Sequence, residues 1–417
     1  MKYSLRQARI LLPLLLLSSC SWFGDKEEEI NKPAELRRFA SELDIVSLWS
    51  RKVGGGAEDK AIRLEPAIAG SRVFAASASG TVMALHAGSG RPLWQRQVKD
   101  FYVGKELKNA FAKDVDVITG GVGVGADLVL VGTAAGDVVA LFQSDGSLAW
   151  RSRVSSEVLA PPQAIDDLIV AQTIDGKVAG FDALSGERKW IFSTSIPSLT
   201  LRGTSTPLVG DGVVIAGFSN GRVALIDPLK GVAAVDERIA TAIGRSDLER
   251  LVDIDGRMIF TGGRLYVVSY QGRLVAIDLN AGRSLWSEEA SSVVGLGSGF
   301  GNVYLAHEDD RITAMDMDNG RVQWDIEALL NRDVTVPVAT GSYVALGDFE
   351  GYLHIIAQSD GRFVARRRVD SAGIFTPVVS DGSRLYVMGN SGKLFAFEIR
   401  YSNHAAGYCF SRQTQCG

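Results

Sequence analysis

Side chains that usually carry catalysis are scarce in this chain. Among 417 residues there are three cysteines and four histidines. His86, His307, His354 and His404 stand in no HExxH spacing and beside no cysteine pair, so no metal site is expected. No GxSxG elbow occurs, and scattered Ser, His and Asp do not make a triad without geometry. Glycine strings are present at Gly120-Gly121-Val122-Gly123 and between residues 295 and 301, but no helix-forming segment follows either one. That removes the phosphate cradle of a dinucleotide loop, and both strings read as β-turn glycines. Neither sign of charge prevails. The net charge is −4, and the densest basic run, Arg366-Arg367-Arg368, reads as a solvated strand edge, so no nucleic-acid partner is expected. The apolar stretch at residues 10–17 is too short to span a bilayer comfortably. No cofactor and no enzymatic activity are expected.

What the chain has in quantity is glycine, 46 residues, in a register that recurs seven times. A first anchor is followed ten positions later by a glycine and, in most copies, fourteen positions later by tryptophan. The sets are Gly80/Gly90/Trp94, Gly136/Gly146/Trp150, Gly176/Gly186/Trp190, Gly221/Gly231/Val235, Gly272/Gly282/Trp286, Asp310/Gly320/Trp324 and Gly351/Gly361/Ala365. In the copy from Pro66 to Trp94, apolar residues alternate on both sides of Gly80, which predicts a hairpin, and a turn at residues 86–90 leads to a strand carrying Trp94. With the segment that starts at Pro66, each repeat holds four strands. The tryptophans and the alanines Ala84, Ala140, Ala276, Ala314 and Ala396 suit large-against-small packing between neighbouring sheets. Asp182, Asp227, Asp278 and Asp316 share one position before the turn, where a carboxylate accepts backbone N–H bonds.

Repeats of this length built from short strands make a β-propeller. An eighth copy begins at Pro377 but lacks its fourth strand, and Leu48-Trp49-Ser50-Arg51-Lys52-Val53 near the other end of the chain supplies the missing piece. The expected fold is all-β: an eight-bladed propeller of four antiparallel strands per blade over residues 44–400, closed by an N-terminal strand that completes the last blade. Two connections are long, at residues 99–117 and 236–255. Both leave an outer strand for the next inner one and share a face, where recognition by long loops on a rigid scaffold tends to sit.

Lys2, Arg6 and Arg9 precede the apolar residues 10–17, and Leu17-Ser18-Ser19-Cys20 follows. This resembles a bacterial lipoprotein signal. The resemblance implies a signal peptide at residues 1–19, acyl chains on Cys20, and, with Ser21 next, sorting to the outer membrane. Residues 20–43 then read as a charged tether with Glu27-Glu28-Glu29 and Pro33, and residues 401–417 as a polar tail. Cys409 and Cys416 in that tail either form a small loop disulfide or are free.

The repeat, as in Ala276-Ile277-Asp278 followed by Gly282 and Trp286, resembles the tryptophan-docking repeat of the pyrroloquinoline quinone (PQQ) dehydrogenases. Those enzymes are longer, and the methanol-dehydrogenase type carries adjacent cysteines that this chain lacks. Signal, acidic tether and eight such repeats together resemble the BamB family, propeller lipoproteins of the outer-membrane β-barrel assembly (BAM) machinery. Two stretches make the match specific. Pro197-Ser198-Leu199-Thr200-Leu201-Arg202-Gly203 is similar to the family's PSLSLRG segment, and Glu249-Arg250-Leu251-Val252-Asp253-Ile254-Asp255 to its DRLSDVD segment. The family resemblance implies that Leu199, Leu201, Arg202, Asp253 and Asp255 contribute to binding BamA through its periplasmic POTRA domains. It implies a non-catalytic scaffold at the periplasmic face of the outer membrane.

Alternatives stay open at this stage. An ion pair from Arg202 to Asp253 or Asp255 would merely pin the loop. Blade edges could receive unfolded outer-membrane protein strands by β-augmentation, or the protein could only orient the POTRA domains. A PQQ-dependent periplasmic oxidoreductase and a binder of small ligands in the central channel are the other function classes. The chain also departs from the family pattern, at Leu248-Glu249, at Gly256-Arg257-Met258 and in the cysteine-bearing tail.

Overall fold

The computed structural model describes residues 32–57, 62–102 and 115–402. Cys20, the signal peptide, Cys409 and Cys416 lie outside the described residues, as does most of the first long connection. The strands form eight antiparallel sheets of four, each in simple up-and-down order. Blades one to seven occupy residues 67–97, 118–153, 163–193, 208–238, 259–290, 296–326 and 338–368. Blade eight combines three strands within residues 379–401 with Leu43–Lys52, which pairs along Lys393–Tyr401 and closes the ring. Burial follows from this plan. The two middle strands of a blade are apolar on both faces because sheets cover both sides, whereas an outer strand buries little: of Pro92–Gln97 only Trp94 is buried. The described core accordingly divides into eight clusters, one between each pair of neighbouring blades.

The tryptophans work differently from the expected packing between sheets. Their small partners lie across the strand pair in the same blade: Trp94 opposite Ala84, Trp150 opposite Ala140, Trp286 opposite Ala276, Trp324 opposite Ala314, Trp49 opposite Ala396 and Trp190 opposite Gly180. The ring then leans out onto the turn glycine of the next blade. A β-carbon at Gly146 would fall 2.6 Å from the Trp94 ring, and Gly186 and Gly231 stand against Trp150 and Trp190 in the same way. Each indole N–H donates to a carbonyl three residues before that glycine, as from Trp94 to Gln143 at 3.0 Å and from Trp150 to Ala183 at 2.7 Å. Blades four and seven invert the pair, setting Leu225 against Val235 and Ile355 against Ala365. The four aspartates act as expected: Asp182 Oδ1 accepts the N–H groups of Leu184 and Ser185, and Asp227, Asp278 and Asp316 repeat the pattern.

Two expectations fail for physical reasons. The glycine strings are not turns for the most part. Gly120, Gly121 and Gly123 lie within the inner strand Ile118–Gly125, and Gly297 and Gly299 within Leu296–Gly299. Inner segments crowd together around the channel, so that a β-carbon at Gly123 or Gly297 would collide with the carbonyl of Pro162 or Pro337. Nor is the Arg366-Arg367-Arg368 run idle solvated charge. Arg366 donates to His354 Nδ1 at 3.1 Å and to the Arg37 carbonyl at 3.0 Å, and Arg367 donates to the Ile45 carbonyl. The bond to Arg37 belongs to a docked leader, and the bond to Ile45 to the strand that closes blade eight. Residues 34–42 lie along blade seven, with Ala34 N–H bonded to the Leu330 carbonyl, Glu42 N–H to that of Val364, and the Glu42 carboxylate held by Nε and Nη2 of Arg362. Beneath them the buried Arg332 donates to Asp348 at 2.9 Å and to the Ala34 carbonyl at 2.9 Å.

Candidate functional site

The two singled-out segments come together on one face. Residues 194–207 lead from blade three into blade four, and residues 239–258 from blade four into blade five. The second connection opens with an exposed loop, in which Glu249 accepts the N–H of Arg245 and of Ser246, and then turns inward as Leu251, Val252 and Ile254 are buried. Ile254 N–H reaches the Phe218 carbonyl of blade four, while the Asp253 carbonyl accepts from Tyr270 of blade five. The segment is thereby wedged between two hairpins.

The five candidate residues divide into a surface and a support. Leu199 is 40% exposed, Arg202 is exposed and Leu201 is half-buried. Asp253, in contrast, is 1% exposed, so it cannot meet a partner directly. Its Oδ2 accepts the N–H of Leu201 at 2.5 Å, which ties the first segment to the second. Asp255 lies under Gly203, where a β-carbon would fall 2.5 Å from its Oδ2. The ion pair considered between Arg202 and these aspartates does not form. Arg202 instead pairs with Glu157, from the connection between blades two and three, at 2.8 Å. An outward arginine finds a partly exposed carboxylate more cheaply than a buried one.

The support is electrostatically strained. Burial drives Asp253 up to about 6 against the opposing hydrogen bond from Leu201, and burial followed by the neighbouring charge of Asp253 drives Asp255 up to about 7, with Arg63 acting against it. Asp253 Oδ1, both oxygens of Asp255, Thr204 Oγ1 and Gln172 Oε1 find no hydrogen-bond partner among the described residues. Gln172, Thr204 and Asp255 line one narrow crevice between blades three and four. Beside the loops a wider groove of about 400 Å³ is bounded by Pro197, Arg222, Arg238, Ala242 and Arg250.

Sequence reasoning missed four contributors. Ile243, 80% exposed, and Leu248, 66% exposed, add apolar surface to the long loop. Their signal was present as apolar residues inside a connection that has no strand to bury them. Glu157 and Arg63 had no local signal, because only the closed ring brings them near.

Fold and site together define the class: an eight-bladed propeller of PQQ-like repeats in which two inter-blade connections converge on one face and leave Leu199, Arg202, Ile243 and Leu248 exposed there. The family model "Outer membrane protein assembly factor BamB" matches residues 103–326. The chain is 43% identical over 395 residues to the outer membrane protein assembly factor BamB of Pseudomonas aeruginosa, covering 95% of this chain and 99% of that one. To the BamB of Escherichia coli it is 34% identical, covering 93% and 97%. The crystal structure of BamB from Moraxella catarrhalis superposes with a TM-score of 0.75 at 27% identity, over 85% of this chain and all of that one. The chain belongs to the BamB family. Quinohemoprotein alcohol dehydrogenase from Comamonas testosteroni superposes with a TM-score of 0.66 at 14% identity, which shows a shared fold alone.

Proposed function

We propose that this protein is a non-catalytic scaffold of the BAM complex, anchored by acyl chains on Cys20 to the periplasmic face of the outer membrane, and that it binds the POTRA domains of BamA. The observation that carries the reading is the convergence of the two family segments on one face, with Leu199, Leu201 and Arg202 presented outward and Asp253 and Asp255 beneath them. Apolar anchors supply the burial and Arg202, braced by Glu157, fixes orientation. The aspartates act by holding the loop rather than by touching the partner. Calorimetric titration of the soluble chain beginning after Cys20 with POTRA domains of the same organism tests this. Saturable binding is expected, with Leu201→Ala and Arg202→Ala each losing more than about 1 kcal/mol while remaining folded. A folded wild type that does not bind would refute the assignment of this face.

A further inference from the structure

The strands of each blade run up and down from the channel outwards, so the connections between blades share one face with the turns between second and third strands. Residues 194–207 and 239–258 lie on this loop face, and the turns between third and fourth strands lie on the opposite one. The closing strand starts on the opposite face, because Leu43 pairs with Tyr401 at the end of the third strand of blade eight and Lys52 with Lys393 at its start. Residues 34–42 nevertheless bring the chain in from the loop face. Glu42 N–H donates to the Val364 carbonyl at 2.9 Å, where the outer strand of blade seven begins, and Ala34 N–H donates to the Leu330 carbonyl at 2.9 Å, in the connection between blades six and seven. The segment therefore crosses the full height of the blade. Contacts hold it at three levels. On the loop face Arg332, 3% exposed, donates Nη1 to the Ala34 carbonyl and Nε to Asp348, each at 2.9 Å. Halfway down, Arg366 donates to the Arg37 carbonyl at 3.0 Å, and its guanidinium lies 5.1 Å from the ring of Phe39 and 5.1 Å from that of Phe363. Leu36 packs there on the core between blades six and seven. On the opposite face Arg362 grips the Glu42 carboxylate with Nε at 2.9 Å and Nη2 at 3.0 Å.

We propose that residues 34–42 are a strap that sets where the membrane tether leaves the propeller, so that the acyl chains on Cys20 hold the loop face, with Leu199, Leu201 and Arg202, towards the lipid surface. The inference rests on the acylation of Cys20 read above. With the strap docked, the tether is residues 20–33, which is 14 residues. Fully extended these reach about 50 Å, and as a flexible chain they average about 20 Å. Turning the opposite face to the lipid would use about 30 Å of that reach in coming back down the blade. Undocking the strap would lengthen the tether by nine residues and move its point of departure to Leu43, on the opposite face. The same anchor would then hold the propeller by the wrong side. Three arginines and two apolar side chains offset the entropy of ordering this segment, which makes no continuous strand pairing of its own.

The test uses the chain purified from membranes, with Cys409→Ser and Cys416→Ser, in vesicles of phosphatidylethanolamine and phosphatidylglycerol that carry an acceptor dye on the headgroup. Acylation blocks the Cys20 sulfur, so a donor dye reacts only at an introduced thiol: Thr241→Cys, exposed on the loop face, or Ser144→Cys, in an exposed turn of the opposite face. Energy transfer to the vesicle surface is expected to be at least about twofold higher from Thr241→Cys. The release variant Leu36→Ser with Phe39→Ser and Glu42→Arg leaves every blade intact, and it should abolish or reverse that difference. Trypsin confirms the release independently, since Arg37 and Arg38 are exposed within the strap and should be cut at least about tenfold faster in the variant. Equal transfer from the two faces in wild type would overturn the proposal. So would a difference that persists in a variant cut faster by trypsin, or equal cutting of variant and wild type. Mass spectrometry of the purified chain reads the anchor separately. A Cys20 without acyl chains would remove the lipid reading and this role with it, while the trypsin rates would still report whether the strap is held.

Discussion

Asp255 sits two residues from another buried carboxylate and under a glycine that leaves room for nothing larger. Burial raises its folded pKa from the ordinary 3.8 to about 7. Below pH 3.8 the folded and unfolded chains are both protonated here. As pH rises towards 7 the unfolded chain releases the proton and the folded one keeps it, so stability is lost through that window. Asn at this position has no proton to lose. Asp255→Asn should therefore gain stability relative to wild type as pH rises, by about 2–3 kcal/mol between pH 5 and pH 8, and the difference should level off above pH 7. His307 and His354, pushed down by burial, give the opposite slope below pH 6.5, but they are common to both proteins and cancel. Urea denaturation at several pH values measures this directly. A difference that stays flat with pH would mean that Asp255 is ordinarily solvated or paired.

At the scale of the element, the blade is built on complementary volumes, and its exceptions are informative. In blade four Leu225 takes the position that Ala holds in five other blades, and Val235 that of Trp. The consequence appears one blade on, where Gly282 has open space over it instead of an indole ring. Leu225→Ala alone should cost about 2 kcal/mol, since Leu225 packs into the joint between blades four and five. Val235→Trp alone should gain little, because Leu225 occupies the room its ring needs. Together they should recover the loss with a coupling above about 1 kcal/mol, the new indole lying on Gly282 and donating to the Leu279 carbonyl; thermal melts of the four proteins complete the cycle. The same elements explain what could be read beforehand. Eight blades and the closing strand were legible because period-2 alternation and turn glycines are local signals. The tryptophan's true neighbours were half legible, since spacing shows that a small residue is needed but not whether it lies across the strand or in the next sheet. The glycines of Ile118–Gly125 were misjudged because close approach of inner strands and tight turning call for the same residue. Residues 34–42 carry no alternation, so their docking through Arg332, Arg362 and Arg366 left no trace in the pattern. That Asp253 supports the loop from beneath was not legible, because nothing local in its segment tells of being wedged between two hairpins.

For the whole molecule, the ring has one seam and many joints, and they differ in what they can withstand. Each joint is an apolar cluster shared by two blades, whereas the seam is the pairing of Leu43–Lys52 with Lys393–Tyr401, nine residue pairs with one bulge, reinforced by Trp49 against Gly90 of blade one. Residues 241–250 are exposed throughout and belong to neither. A protease site inserted between Gly244 and Arg245 and then cut should leave the two pieces in one particle, because blades four and five remain joined by their core and by residues 251–257, and the far side stays zipped. The melting temperature should fall by no more than about 3 °C, while POTRA affinity drops at least tenfold as the loop loses its covalent frame. Deleting residues 32–52 should do the reverse. It strips blade eight to three strands, bares the long edge of Lys393–Tyr401, and leaves Asp348 buried without the leader that closes over Arg332. An open edge of that length invites pairing with another chain, so the truncated protein should aggregate or dimerise on size-exclusion chromatography. A truncated chain that stays monomeric and melts like wild type would show that the joints alone close the ring, and that the N-terminal strand serves the leader rather than the fold.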